Sequence, residues 1–208
     1  MQHVAIIGAG IGGLAAAMRL AHGGVKVTVL ERQATPGGKM RSLPSAAGMI
    51  DAGPTVLTMK PVFEALFREV GCQLADYATL IQEDILARHF WRDGTRLDLM
   101  RDRQASLENV RHSFGTAAAA EFHRFSRDAQ YLFEQLNDPM MQSAAPALRK
   151  MIPVMLRSPA TVMRMDPLRS LAQSLVRRFS EPRLAQLFAR YATYIGGLPQ
   201  ASPALLAL

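Results

Sequence analysis

Cysteine is nearly absent from this chain: Cys72 is the only one in 208 residues. That excludes a disulfide framework and fits a reducing compartment or indifference to redox. Cys72 follows Gly71 at an expected helix end, where it reads as a small buried residue rather than a nucleophile. Aromatic residues make up 7% of the chain and Trp91 is the single tryptophan, expected as a packed strand residue. Metal-ligand spacing is missing. His112 and His123 have no partner cysteine or histidine nearby, so no metal site is expected. A long apolar run is missing too. The most apolar N-terminal stretch, Val4 to Met18, is short, is cut by Gly8, Gly10, Gly12 and Gly13, and follows no basic segment. It is neither a transmembrane span nor a signal peptide. Internal repeats and low-complexity segments are also absent.

Acidic residues are scarce in the last third. Residues 139–208 carry nine basic residues against Asp166 and Glu181, whereas residues 1–138 carry 15 of each sign. The whole net charge of +7 therefore belongs to the last third. Its basic residues alternate with Met, Leu, Val, Phe and Pro rather than with Gly, Ser or Asn. That composition favours amphipathic segments on an anionic membrane surface over a nucleic-acid arm. A solvated helix face is the plainer reading of the same charges.

What the chain does have is a glycine-rich opening. His3 to Ile7 is a β-branched apolar run. The loop Gly8-Ala9-Gly10-Ile11-Gly12-Gly13 follows with G-x-G-x-x-G spacing. A small-residue helical segment, Leu14 to Ala21, leads to a second β-branched run, Val25 to Leu30, which closes on Glu31. Strand, glycine turn, helix, strand and acid, in that order, are the context a dinucleotide fingerprint requires. Gly8 makes the tight turn, Gly10 lets the backbone approach a pyrophosphate, and Gly13 lets the helix pack close to the strand. The pyrophosphate rests on the helix N-terminus, where unpaired N–H groups favour an anion. Glu31, 18 residues after Gly13, accepts ribose hydroxyls and disfavours a 2′-phosphate.

Arg32 to Arg41 contains Pro36-Gly37-Gly38 and is expected as a loop. Its double glycine permits close backbone approach, with Lys39 and Arg41 beside it. Met49 to Leu57 is expected as a short strand entering a Gly53-Pro54 turn. Pro61 to Val70 is expected as an amphipathic helix stopped by Gly71. Ile85 to Trp91 and Arg96 to Leu99 flank Asp93-Gly94, a hairpin signal. Asp102 or Ser106 caps a helix to about Phe114, and Thr116 caps a longer one through Leu136. Phe122, Phe125, Ala129, Leu132 and Phe133 repeat there at helical spacing, a pattern more often core than substrate box. Asn137 to Pro167 is different in texture: six methionines and five prolines break any long helix. Methionine adapts to irregular apolar ligands and to membranes as well as to loose cores. Asp166-Pro167 is expected to start a helix to Phe179, and Glu181-Pro182 another to about Tyr191. Pro203 onward is expected to begin an apolar helix that stops abruptly.

Several blocks resemble the bacterial carotenoid (phytoene-type) desaturases, FAD enzymes of the amine-oxidase-like flavoprotein class. They are VAIIGAGIGGLAAAMRLA, VTVLER followed by PGGKMR, DAGPTVLTMKPVFEALFREVG, LARHFWRDGTRLDL and RLAQLFARYATYIGGLPQASPALLAL. VLTMKPVFEALF and RYATYIGG look most like the hydroxyneurosporene desaturases, the 1-hydroxycarotenoid 3,4-desaturases. The resemblance implies FAD as the dinucleotide, which the glycine pattern alone leaves open. Carried over by position, Gly8, Ala9, Gly10, Ile11, Gly12 and Gly13 line the pyrophosphate. Glu31 and Arg32 lie at the adenosine ribose, Gly37, Gly38 and Lys39 form a second phosphate-side loop, and Gly53, Pro54 and Thr55 approach the flavin. Relatives often carry arginine where Lys39 stands; lysine keeps the charge without the fork.

The fold implied is α/β: a Rossmann-like FAD-binding βαβ domain, incomplete, over residues 1–100, then a mostly helical substrate- and membrane-associated region over 101–208. Family members are roughly 500 residues long, so the resemblance implies an N-terminal part of the enzyme. The implied reaction introduces a double bond into an acyclic C40 carotenoid of hydroxyneurosporene type. The implied location is the cytoplasmic side of a bacterial inner membrane, held peripherally. Phytoene desaturase, another FAD oxidoreductase of the amine-oxidase type, and an inactive flavin- or membrane-binding remnant are the alternatives. No catalytic base is singled out, and oligomeric state is left open.

Overall fold

The computed structural model describes residues 2–54, 56–137, 140, 152–153, 156 and 158–207. The chain divides into two compact units, Met1–Ile81 and Gln82–Leu208. The sequence boundary at residue 100 falls later, because it counts the hairpin that follows Gln82 with the first part.

In the first unit, β1 (His3–Ile7) and β2 (Lys26–Leu30) form a parallel pair, in register from His3 opposite Lys26 to Ile7 opposite Leu30. Their Val and Ile content suits extended backbone. The crossover is α1 (Ile11–His22), rich in Ala and Leu. Arg19 and His22 sit in its last turn, where the helix dipole favours cations. Next comes an antiparallel hairpin of β3 (Ser42–Ser45) and β4 (Gly48–Asp51). The sequence reading found only the second strand. Pro44 hides the first, since proline is confined to edge strands and removes a donor. α2 (Lys60–Glu69) carries Pro61 in its first turn and is followed by Gly71 at φ 78°. Arg19 donates to Glu69 at 2.7 Å, tying α1 to α2. Phe67 packs on Tyr77, whose hydroxyl lies 3.5 Å from the Cys72 sulfur, so Cys72 is a half-buried packing residue. Among the described residues of this unit only Ala9 is fully buried, and Ile7 at the end of β1 is 90% exposed.

The second unit opens with the expected hairpin, β5 (Ile85–Phe90) and β6 (Arg96–Met100). Gly94 supplies the turn at φ 83°, and the Thr95 amide donates to the Asp93 carboxylate at 2.9 Å. Arg88 grips Asp98 across the ladder with two hydrogen bonds of 2.8 and 2.9 Å. α3 (Arg103–Leu136) is interrupted at Gly115, whose φ is 87°. The Arg103 guanidinium donates to Gln130 at 2.6 Å. On a straight helix, residues 27 apart stand about 40 Å apart. The two arms therefore fold back on each other at Gly115. Asp102 supplies the first cap, accepting from the Ala105 amide at 2.7 Å.

Three short helices follow: α4 (Pro159–Met165), α5 (Leu171–Arg178) and α6 (Pro182–Ala189), the last capped by Glu181 as expected. Asp166 does not start α5. It closes α4 in the left-handed region at φ 50° and accepts a bond from Arg169 at 2.6 Å. The cap of α5 is Ser170, in a capping box with Gln173. A 3-10 helix at Arg190–Ile195 and another at Ala204–Ala207 end the described chain. The helix expected from Pro203 is thus a single 3-10 stretch.

The core of this unit is aromatic. Phe188 lies 4.5 Å from Phe125, 5.5 Å from Phe179 and 6.2 Å from Phe122, centroid to centroid. Leu97, Val110, Leu171, Leu175 and Leu184 fill the gaps, all at most 1% exposed. Trp91 packs against this cluster and donates to Gln186 at 2.9 Å. Asp128 joins Arg164 (3.1 Å) to Arg178 (3.3 Å), fastening α3 to α4 and α5. Among the described residues, no group of His, Cys, Asp and Glu could hold a metal, and no helix is long and apolar enough to cross a membrane. The methionine- and proline-rich reading falls partly on Pro139, Met141, Pro146, Met151 and Met155, which lie outside the described residues.

Candidate functional site

The first unit gathers the predicted site residues at the C-terminal end of β1. Gly8 turns at φ 98°, its amide donating to the Leu30 carbonyl at 2.7 Å. That bond holds the turn against the end of β2. A methyl on Gly13 would sit 2.0 Å from the Gly8 carbonyl oxygen. Only glycine lets the first turn of α1 lie this close to the strand end. Gly10 is the N-cap of α1 and offers no side chain to the first-turn amides, and that turn holds no acidic residue. Ile11 and Gly12 are exposed on the same turn. The result is the N-terminus of a 12-residue helix whose first-turn amides have no capping side chain, the arrangement that favours an anion.

Glu31 is drawn into this turn. Its carboxylate accepts the Ala9 amide at 2.7 Å and the Gln33 amide at 2.8 Å. These backbone donors, Gln33 first and then Ala9, hold its pKa below the ordinary value, against a smaller opposing effect of desolvation. An ionised carboxylate has about four acceptor positions, so the two bonds leave room for further donors such as ribose hydroxyls. The sign for stability follows. A depressed pKa means the ionised form stabilises the fold above the unfolded carboxylate pKa, and this contribution is lost as pH falls through the folded value. Glu31→Gln is expected to flatten the acid limb of a thermal-melting profile below about pH 5, from the normal carboxylate pKa downward. An unchanged acid limb would show that these bonds do not stabilise the turn.

The second glycine loop reaches the first. The Gly37 amide donates to the Ala9 carbonyl at 2.9 Å. A methyl on Gly38 would come within 3.0 Å of the Gly10 Cα. Gly37 and Gly38 have φ of 126° and 62°, the region that favours glycine. One step further, a methyl on Gly53 would sit 2.0 Å from the Lys39 carbonyl oxygen. Gly38, Lys39, Arg41, Ala52, Gly53 and Pro54 line an open recess of about 310 Å³. Neither Lys39 nor Arg41 has a carboxylate within ion-pair distance among the described residues. Arg32 is exposed and makes no side-chain hydrogen bond among the described residues. Thr55 lies outside the described residues.

The two loops, Glu31 and Gly53 are therefore contiguous. The cradle is made almost wholly of backbone, and side chains at Gly13, Gly38 and Gly53 would fill or distort it. A dinucleotide with an extended pyrophosphate and a free ribose fits that donor set. Sequence reading missed the link Glu31–Ala9–Gly37, because it is made through backbone groups that carry no residue signature. In the second unit, the stripe of Phe122, Phe125 and Leu132 is buried while Phe133 is 53% exposed, so core is its main role.

A model of the flavin containing amine oxidoreductase family matches residues 11–207. The hydroxyneurosporene desaturase of Cereibacter sphaeroides is 45% identical over 205 residues, covering 99% of this chain and 41% of its own length. That of Rhodobacter capsulatus is 43% identical, covering 99% of this chain and 42% of its own. The chain thus spans about two fifths of the length of these relatives. Among solved structures, a putrescine oxidase bound to putrescine superposes with a TM-score of 0.58 at 19% identity, covering 99% of this chain and 40% of the other.

Proposed function

The chain belongs to the flavin containing amine oxidoreductase family, and on that footing we propose that it forms the dinucleotide-binding part of an FAD-dependent carotenoid desaturase. The substrate would be an acyclic C40 carotenoid of hydroxyneurosporene type. The observation that carries the reading is 45% identity sustained over 99% of the chain to a relative named for that activity. The glycine cradle agrees with it.

In this reading Gly8 to Gly13 hold the pyrophosphate on the α1 N-terminus, with Ala9 amide and turn fixed by Glu31. Glu31 turns its remaining acceptor positions to the adenosine ribose, with Arg32 beside it. Gly37, Gly38 and Lys39 close on the pyrophosphate from the other side, Lys39 as a point charge. Gly53, Pro54 and Thr55 approach the flavin. Bound flavin would supply the two-electron oxidation of adjacent carbons, one hydrogen leaving as hydride equivalent and the other as a proton. The protein's part is to hold the reactants in register and exclude water, which for a polyene means apolar walls. The first unit, to Ile81, would serve the cofactor and the second, from Gln82, the substrate. The basic, apolar last third would keep the protein peripheral to an anionic membrane, where such a substrate dissolves.

Reconstitution tests the cofactor assignment. The purified protein mixed with FAD and desalted is expected to keep a yellow flavin spectrum. A colourless protein would sink the cofactor assignment for this chain. Product analysis of the complete enzyme separates substrates: hydroxyneurosporene is expected to gain one double bond, while preferential turnover of phytoene would move the assignment to phytoene desaturase.

A further inference from the structure

The second unit carries an apolar recess, open to its surface and separate from the glycine cradle. It lies between the two arms of α3, the end of the β5–β6 hairpin and the chain around Phe188 and Tyr191. Its volume is about 280 Å³. Leu99, Phe122, Phe125 and Phe188 are among its apolar lining. Pockets for whole small molecules run from roughly 300 to 1,000 Å³. This one therefore holds an end of a long chain rather than all of it.

The polar groups on its lining are unequally committed. The Ser106 hydroxyl donates to the Met100 carbonyl at 3.0 Å and accepts the Met100 amide at 2.8 Å. Arg101 is held by Asp84 at 2.7 Å and Arg103 by Gln130 at 2.6 Å. The hydroxyls of Ser126 and Tyr191 make no hydrogen bond among the described residues, and both residues are half-buried. Serine within a helix usually bonds back to the preceding turn or faces water. Ser126 does not bond back to the turn among the described residues; it faces the open recess, one turn beyond Phe122.

We propose that this cavity seats the hydroxyl-bearing end of a neutral polyene, with Ser126 and Tyr191 hydrogen-bonding the alcohol and the phenylalanine rings taking the chain. The inference rests on the hydroxycarotenoid reading for its ligand class. A site that hydrogen-bonds an alcohol disfavours the analogue lacking it, because an apolar end laid over its half-buried hydroxyls strips their water and offers no partner in return. Of the two arginines on the rim, Arg101 is paired with the Asp84 carboxylate and Arg103 with the Gln130 amide oxygen, so the end group falls to the two hydroxyls rather than to an arginine.

All-trans-retinol is a suitable probe, and quenching of the single tryptophan, Trp91, reports binding without flavin or turnover. The full chain is expected to bind retinol about tenfold more tightly than the hydrocarbon carrying CH₃ in place of CH₂OH, the worth of one net hydrogen bond. Ser126→Ala and Tyr191→Phe are expected to abolish that preference together and leave hydrocarbon binding unchanged. Equal binding of alcohol and hydrocarbon, a stronger binding of retinoic acid, or an intact preference in the double variant would each overturn the proposal. A loss for both ligands alike would show a structural role only, and would overturn it too. Desaturase activity is measured separately: retinol preference without hydroxyneurosporene turnover would sink the functional reading and leave the cavity assignment standing.

Discussion

Gly13→Ala is expected to give a protein whose second unit is folded but which comes out of reconstitution colourless. The new methyl would lie 2.0 Å from the Gly8 carbonyl oxygen, well inside van der Waals contact. Neither partner is a flexible side chain. Gly8 is pinned to Leu30 by its amide, and α1 is pinned to α2 through Arg19 and Glu69. The helix must lift from the strand end, and the open first-turn amides move with it. Overpacking of this kind costs typically 1–3 kcal/mol or more. Loss of the anion site adds to that, so flavin binding should weaken at least about a hundredfold, equivalent to about 2.8 kcal/mol. Absorbance of bound flavin after desalting gives the answer, and Trp91 fluorescence reports whether the second unit survives. Gly12→Ala controls for fold stability. Its methyl meets no protein atom within 4 Å, and better helix propensity should raise stability by up to about 1 kcal/mol. Wild-type flavin content in Gly13→Ala would show that the close approach of helix and strand does not shape the cofactor site.

Phe188→Ala is expected to be the most damaging single change in the second unit. Phe188 is 7% exposed and is the ring that Phe122, Phe125, Phe179 and Tyr191 all pack against. Removing it deletes apolar burial and leaves a void between elements from both ends of the unit, at a cost of about 3–5 kcal/mol. Denaturant unfolding followed by Trp91 fluorescence should show the midpoint falling accordingly, with flavin content little changed. Phe133→Ala is the comparison: that ring is 53% exposed, and a surface substitution should stay within about 0.5 kcal/mol. If the two variants melt together, the aromatic cluster is not the core.

How much of this was legible follows from what each feature depends on. The βαβ unit was legible because β-branched runs, helix-forming residues and fixed glycine spacing all agree locally. The break at Gly115 was legible for the same reason, since the sequence already divided into helices on either side of it. The fold-back of those helices was not, because it rests on Arg103 meeting Gln130. The strand at Ser42–Ser45 was hidden by Pro44, whose edge position only the pairing reveals. At α5 two start signals competed. Asp166-Pro167 was the louder, but Ser170 and Gln173 make a reciprocal cap while Asp166 is left to end the helix before. The meeting of Gly10 with Gly38 was beyond local reading altogether, being a backbone approach between loops 28 positions apart.

The three ladders have a consequence for how the protein is made. Their strands lie close in sequence: the widest separation is His3 with Lys26, and the other two are hairpins. Contacts this local form quickly, because little loop-closure entropy opposes them. Chains emerge from the ribosome at roughly 5–20 residues per second. By the time Glu31 has cleared the exit, every residue of the Glu31–Ala9 hydrogen bond is available. The glycine turn can thus be set within seconds, before any of the second unit's aromatic core has been synthesised.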